Sequence, residues 1–205
     1  YLMQGNLEST NEFYALAKIS GIKLCEAYRK QYNFDALSLM PTNLYGPYDN
    51  YHKTNSHVMA SLIRKFHTAK INNFDEVICW GSGRPLREFL YVEDFAEACF
   101  KVLTKWDPDK DNSPIDSNGY PINWLNVGSK FEVSIEDLAK KIASIVGYRG
   151  KIIWDTNMPD GTPRKKIDSQ FINKLGWEAT TDLDLGIKKT YESYKIELDL
   201  KKCRK

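Results

Sequence analysis

Phe13-Tyr14-Ala15-Leu16-Ala17-Lys18-Ile19 opens a helical run that continues through Gly21-Ile22-Lys23-Leu24-Cys25-Glu26-Ala27-Tyr28, and a short link then leads to Ala36-Leu37-Ser38-Leu39-Met40. The first part keeps apolar residues at helical spacing and ends near Tyr32-Asn33, with Ser9, Thr10 or Asn11 available to cap it. Gly21 and Ala17 are small enough to let a neighbouring helix or a cofactor come close. The second part is a short apolar run stopped by Pro41, which reads as a buried strand. Helix, tight link and apolar strand make one step of a parallel sheet, so the chain reads as α/β.

Four residues advance an α-helix by about 400° and roughly 6 Å, which puts Tyr14 and Lys18 on one face. Phenols lose their proton in water only near about pH 10, and a neighbouring ammonium favours the phenolate. The pair therefore reads as a candidate general acid or base. With 12 Tyr and 29 Lys+Arg in the chain, the spacing also arises by chance. In isolation, a buried ring beside a solvated lysine is the plainer reading.

Downstream, Pro41-Thr42-Asn43-Leu44-Tyr45-Gly46-Pro47-Tyr48-Asp49-Asn50 reads as a long turn-rich segment at the carboxyl end of a strand, where open α/β sheets hold their ligands. Val58, Met59, Leu62, Ile63 and Phe66 form a core-facing helical stripe, with His57 in its first turn. Glu76 to Trp80 is a strand, Gly81-Ser82-Gly83 a flexible turn, and Leu86 to Val92 a second strand. Phe95 to Thr104 then follows as a helix, with Asp94 near its amino end. Arg87, beside the glycine turn, suits a fork aimed at a phosphate, and a surface ion pair with Glu88 carries equal weight. Residues 106–123, punctuated by Pro108, Pro114, Gly119 and Pro121, read as an exposed connection. Trp124 to Gly128 is a short strand. Ser134 with Asp137 caps a helix to about Val146. Lys151 to Trp154 is a strand, and Pro159 to Lys166 a rigid basic loop that fits an anion clamp. Asp168 opens a helix to Leu175, Gly176 ends it, and Asp184 to Tyr194 is the last helix before a charged tail.

The chain has 205 residues, 42% of them hydrophobic and 27% charged, which suits an ordinary globular protein. No apolar run approaches the roughly 18 residues of a membrane span, and nothing at the start resembles a signal peptide. A net charge of +2 implies no nucleic-acid or membrane partner. Cys25, Cys79, Cys99 and Cys203 show no metal-binding spacing, so they read as reduced thiols of a cytoplasmic protein with no metal site.

Taken together, Y-x-x-x-K, M-P-T-N-L-Y-G-P, N-S-H-V, V-I-C-W-G-S-G, R-E-F-L-Y-V-E-D, L-N-V-G and P-D-G-T-P-R-K resemble the extended short-chain dehydrogenase/reductase family, in one consistent order from about residue 1 to 195. N-S-H-V and P-D-G-T-P-R-K narrow the similarity to its epimerase-reductases, which act on GDP-4-keto-6-deoxy-D-mannose with NADP(H). The resemblance implies that Tyr14 protonates the C4 oxygen, that Lys18 assists it and holds the nicotinamide ribose, and that His57 is the acid/base of epimerisation beside the cofactor. Pro41, Thr42, Asn43 and Leu44 would wall the nicotinamide. Lys65, Trp80, Arg87, Asp160 and Lys165 would hold GDP, with Lys65 where many relatives have arginine, a change that loses the bidentate fork. The implied fold is part of a Rossmann-type parallel sheet, its amino-terminal strands missing, with a smaller α/β substrate-binding domain. Residues 1–47 and about 86–105 would belong to the NADP-binding part, 48–85 and about 122–195 to the sugar-nucleotide part, and 196–205 to a tail. A homodimer through the Tyr14 helix region is the expected assembly.

The family's G-x-x-G-x-x-G turn is absent, as are its catalytic serine and the cysteine that partners the histidine. The resemblance assigns these to a region ahead of Tyr1, so the chain is expected to be a carboxyl-terminal part, inactive by itself and weak in NADPH binding. Two alternatives stay open: a non-catalytic GDP-sugar-binding or dimerisation piece, and a related nucleotide-sugar epimerase or dehydratase.

Overall fold

The chain is described by a computed structural model that covers residues 2, 3, 5–110, 113–201 and 203. Tyr1, Gln4, Asp111, Asn112, Lys202, Arg204 and Lys205, in the opening loop, the 106–123 connection and the tail, lie outside the described residues.

The first helix, α1 (Glu12–Tyr32), is preceded by a 3-10 turn over Ser9–Asn11. The turn is started by Glu8, whose carboxylate accepts from the Thr10 amide at 3.1 Å, while Asn11 makes no side-chain capping bond. Asn33 ends α1 in the left-handed conformation (φ 51°) that asparagine tolerates. None of the helix is buried. Near its carboxyl end, Arg29 forks onto Asp109 at 2.8 Å and Asp107 at 3.4 Å, which ties α1 to the 106–123 connection.

β1 (Ser38–Pro41) runs parallel to β5 (Trp124–Val127), as the αβ step predicts. The segment read as a loop after Met40 instead contains β2 (Asn43–Tyr45), parallel to β4 (Leu86–Tyr91). Between them the Thr42 amide donates to the Val127 carbonyl at 3.1 Å, and the chain then crosses from the side of β5 to that of β4. β4 gathers two more short strands: β6 (Glu132–Ser134), antiparallel, and β8 (Arg164–Lys165), parallel. β8 gives a backbone partner to what reads as a basic loop. β3 (Glu76–Trp80) and β7 (Lys151–Asp155) form a separate parallel pair.

The remaining helices are α2 (Val58–Ile71), α3 (Val92–Lys105), α4 (Ile135–Val146), α5 (Gln170–Lys174) and α6 (Leu183–Asp199). Ser134 caps α4 as expected, accepting the Asp137 amide at 2.9 Å. α6 continues past Tyr194 into the stretch read as tail, because Glu197 is only 4% exposed and turned into the protein.

Two cores result. In the first, Met59, Ile63 and Phe66 of α2 pack with Leu138 and Ile142 of α4, Ile187 of α6, and Tyr45, Phe89 and Tyr91. The second joins Leu90, Ala98, Val102, Leu125, Val127, Ile172 and Trp177. Each fully buried Leu, Ile, Met or Phe among them contributes about 1.5–3 kcal/mol.

Glu88 lies between these cores with no exposed surface, accepting from the amides of Lys130 at 2.8 Å and Ile167 at 3.4 Å. Gly128 makes room for it: a Cβ there would run into Glu88 Oε1 and Ser169 Oγ. Gly128→Ala is expected to lower the unfolding free energy by about 2–3 kcal/mol through overpacking against a buried carboxylate, measured by urea denaturation.

His67 of α2 meets the Tyr191 hydroxyl at 3.0 Å. Burial holds its imidazole below the ordinary value of 6.5, with Lys70 and Lys195 acting in the same direction. The unfolded chain therefore takes up this proton first, so the contribution is present above pH 6.5 and is lost as the pH falls through the lower folded value. The urea midpoint should drop on going from pH 7 to pH 5, and less steeply in His67→Phe.

Candidate functional site

Lys65 comes from the middle of α2 and Trp80 from the end of β3. The Lys65 ammonium donates to the Ile78 carbonyl at 3.0 Å and stands 5.5 Å from the Trp80 ring centroid. They border a cavity of about 240 Å³, also lined by Lys53, Ser56, Cys79 and Trp154. Trp80 remains 63% exposed, so its ring offers a free face. Burial pushes the Cys79 thiol up, with Lys65 opposing, which leaves it a neutral apolar wall. An exposed indole beside an ammonium suits a ligand with a flat ring and a negative group.

The turn after β3 is fastened rather than flexible. Ser82 donates to Asp160 twice, from its amide to Oδ1 at 2.8 Å and from its hydroxyl to Oδ2 at 2.6 Å. These bonds, with the fields of Arg84 and Arg87, hold the Asp160 carboxyl below its ordinary range. Gly81 is required here, because its φ is +78° and a Cβ would overlap Asp160. Asp160, expected on the ligand, is thus first a latch between residues 81–83 and 159–161.

Arg87 faces the same latch. Its guanidinium donates to the Leu86 carbonyl at 2.7 Å, burial holds it below its ordinary value, and Asp160 opposes that shift. Lys165 sits opposite Arg87 in the β4–β8 register, and its charge reaches Glu8 just ahead of α1. The surface pair between Arg87 and Glu88 is not formed, since the Glu88 carboxylate turns inward to Lys130 and Ile167. Two cations therefore stand on adjacent strands beside the turn that follows Trp80.

Pro41, Thr42, Asn43 and Leu44 lie where β1 hands over to β2. Thr42 Oγ1 and Asn43 Nδ2 both donate to the Glu88 carbonyl, at 3.0 and 2.8 Å, and Leu44 packs against the second core. His57 is the N-cap residue of α2, exposed and without a side-chain capping bond, between Ser56 and Val58, which line the cavity. On α1, Lys18 Nζ lies 5.4 Å from the Tyr14 ring centroid, and Tyr14 is 61% exposed. Among the described residues, no hydrogen bond or ring contact links Tyr14 or Lys18 to His57 or to the cavity. Ser82, Cys79 and Trp154 belong to the site without having been picked out from the sequence. The available signal was a serine between two glycines at a strand's carboxyl end. Among the described residues, no three His, Cys, Asp or Glu side chains converge as a metal site, and no helix is long and apolar enough to cross a membrane.

The profile of the NAD dependent epimerase/dehydratase family matches residues 1–115. The chain belongs to this family. A putative GDP-L-fucose synthase 2 from Arabidopsis thaliana is 51% identical over 193 residues, spanning 94% of this chain and 55% of the relative. The GDP-L-fucose synthase of Escherichia coli K12 is 47% identical over 195 residues, spanning 93% of this chain and 58% of the relative. The chain thus spans a little over half the length of the curated family members it matches. Among solved structures, a GDP-L-fucose synthetase from Naegleria fowleri bound to NADP superposes with a TM-score of 0.84 at 25% identity, covering 100% of this chain and 61% of the other. A GDP-6-OMe-4-keto-L-xylo-heptose reductase from C. jejuni gives 0.84 at 31% identity, with 96% and 64% covered. These family members confirm a partial Rossmann-type α/β fold.

Asp160→Ala should free the turn at 81–83. We expect the Ser82 amide to exchange about ten-fold faster or more, with little change in the urea midpoint, as read by hydrogen exchange and denaturation side by side.

Proposed function

We propose that this chain carries the nucleotide-sugar pocket and the acid/base helix of a GDP-L-fucose synthase, which epimerises GDP-4-keto-6-deoxy-D-mannose at C3 and C5 and reduces it at C4 to GDP-L-fucose. The observation that carries the reading is the identity of 47–51% to proteins of that name over nearly all of this chain. The grouping of Lys65 with Trp80, and of Arg87 with Lys165, supports it, because a flat base and a diphosphate call for those partners.

In this reading the guanine lies on Trp80, and Lys65, Arg87 and Lys165 neutralise the diphosphate. Asp160, by accepting from Ser82, keeps the 81–83 turn from closing over the ring, and its remaining lone pairs can accept from guanine nitrogens. A C4 ketone acidifies the hydrogens at C3 and C5. His57 serves one face of each carbon as acid or base, and inversion takes a second acid/base group on the opposite face. Tyr14 donates a proton to the C4 oxygen as the alcohol forms, and Lys18 beside it stabilises the phenolate left behind.

The residues fit NADP(H). Among the described residues Lys18 makes no ion pair, which leaves its ammonium for ribose hydroxyls, and Pro41 and Thr42 stand at the carboxyl end of the parallel strand β1, where such cofactors bind, with Asn43 and Leu44 next at the start of β2. When bound, NADPH supplies the hydride for C4.

The same reading divides the chain. Residues 1–47 and about 86–105 belong with the cofactor, 48–85 and about 122–195 with the sugar nucleotide, and 196–205 to the end of the chain. Phe13, Leu16 and Leu24 of α1, exposed by 86, 54 and 58%, support a homodimer through that helix. A cytoplasmic location agrees with free thiols at Cys25, Cys79, Cys99 and Cys203.

The test is product formation from GDP-4-keto-6-deoxy-D-mannose and NADPH by the enzyme expressed from its full reading frame. Tyr14→Phe should lower reduction by about 10²–10⁴-fold while GDP affinity holds, and His57→Gln should abolish solvent deuterium uptake at C3 and C5. Wild-type enzyme that yields no GDP-L-fucose would sink the assignment. Undiminished deuterium uptake by His57→Gln would remove that residue from the chemistry.

A further inference from the structure

The segment between β2 and α2, residues 46–57, is a built structure. Tyr48 takes a left-handed φ of 63°, a conformation that a Cβ disfavours. Its amide donates to Glu197 Oε1 at 3.0 Å, and the same oxygen accepts from Ser193 Oγ at 2.9 Å. Glu197 lies in the last turns of α6 and is 4% exposed. Next along the segment, Tyr51 is 3% exposed and packs on Tyr194 of α6, with ring centroids 4.3 Å apart. From the other side, Arg64 of α2 donates to the Lys53 carbonyl at 3.2 Å.

The segment is also cross-linked within itself. Asn50 Oδ1 accepts from the His52 amide at 3.1 Å, and Asn50 Nδ2 donates to the Asn55 carbonyl at 2.9 Å. His52 Nδ1 accepts from the amides of Thr54 and Asn55, each at 3.2 Å. Residues 50–55 are therefore cross-linked as one unit, which is held at its start through Tyr48 and Tyr51 and at Lys53 by Arg64. The far end of that unit is a wall of the candidate site: Lys53, Thr54 and Ser56 line the cavity with Lys65 and Trp80, and His57 comes next.

We propose that Glu197 is a positioning residue for this wall. By accepting the Tyr48 amide it fixes the angle at which the 50–55 unit leaves the sheet, and so sets Lys53, Thr54, Ser56 and His57 against Lys65 and Trp80. The functional consequence rests on the reading of that cavity as the GDP pocket; the mechanical one does not. What the position requires is an acceptor for one amide, so Glu197→Gln, which keeps a carbonyl oxygen there, preserves the anchor, and Glu197→Ala removes it. If Glu197 only packed α6 into the core, the two variants would change stability without touching the cavity.

The experiment compares wild type, Glu197→Gln and Glu197→Ala in the full chain by three measurements: urea denaturation, amide hydrogen exchange over residues 48–56, and GDP affinity by calorimetry where each protein is folded. We expect Glu197→Ala to speed exchange across 48–56 by about ten-fold or more and to weaken GDP binding about ten-fold, and Glu197→Gln to recover both to within about three-fold of wild type. Wild-type exchange rates in Glu197→Ala would overturn the proposal. So would unchanged GDP affinity despite faster exchange, or failure of Glu197→Gln to recover. If wild type binds no GDP, the GDP reading of the cavity falls by itself. The exchange data then decide the anchor: a rise in Glu197→Ala that Glu197→Gln reverses upholds it, and no rise ends it.

Discussion

Glu88 contributes both of its polar groups to joining pieces of chain that are far apart in sequence. Its peptide carbonyl takes the side chains of Thr42 and Asn43, and its carboxylate takes the amides of Lys130 and Ile167. A carboxylate with no exposed surface is costly to desolvate, so it persists only where donors are already aimed at it. The carboxylate thus holds the loop after β5 and the segment after β8, and the carbonyl holds the β1–β2 crossing, around one strand. Arg87, the preceding residue on β4, points to the opposite face by the alternation of a strand, toward Asp160 and Gly161. One face of β4 is thus an internal tie, and the other presents a cation to the site.

The same alternation explains why there are two cores. Phe89 and Tyr91 of β4 enter the core with α2, α4 and α6, whereas Leu90 between them enters the core with α3 and α5. β2 repeats the pattern, with Tyr45 on the first side and Leu44 on the second. A parallel pair covered on both faces has this property, and it makes the β2–β4 ladder the shared wall of both halves. The candidate site lies at the carboxyl end of β3 and beside the start of β4, where the wall meets the latched turn. Trp80 and Arg87 are carried by β3 and β4, and the turn between those strands holds Asp160 through Ser82.

α1 behaves differently. It buries none of its residues and is fastened near its carboxyl end by ionic contacts through Arg29. Exposed ion pairs are weak and screened by salt. Within the described residues, the helix that carries Tyr14 and Lys18 thus meets the rest of the chain through polar contacts more than through a buried apolar face. The 46–57 segment differs in being contacted by α6 through Tyr48 and Tyr51 and by α2 through Lys53.

The amino-acid sequence by itself determined the helices and the longer strands. Their signals are local: the stripe of α2, the Ser134 cap of α4, the stop at Gly176 and the apolar runs of β1, β3 and β7 all follow from residues within one or two turns of each other. It also made the family resemblance legible, along with the residue types suited to a nucleotide sugar. Only the tertiary structure decided β2, β6 and β8, because strands of three, three and two residues are too short to carry an alternation and exist through their pairing with β4. It likewise turned Glu88 from a surface partner of Arg87 into a buried tie, Gly81-Ser82-Gly83 from a loose turn into a latch, and Glu197 from tail into anchor. Each of those roles depends on a partner at least 40 residues away in the chain, at Lys130, Asp160 and Tyr48. Local pattern cannot encode that distance, and packing resolves it.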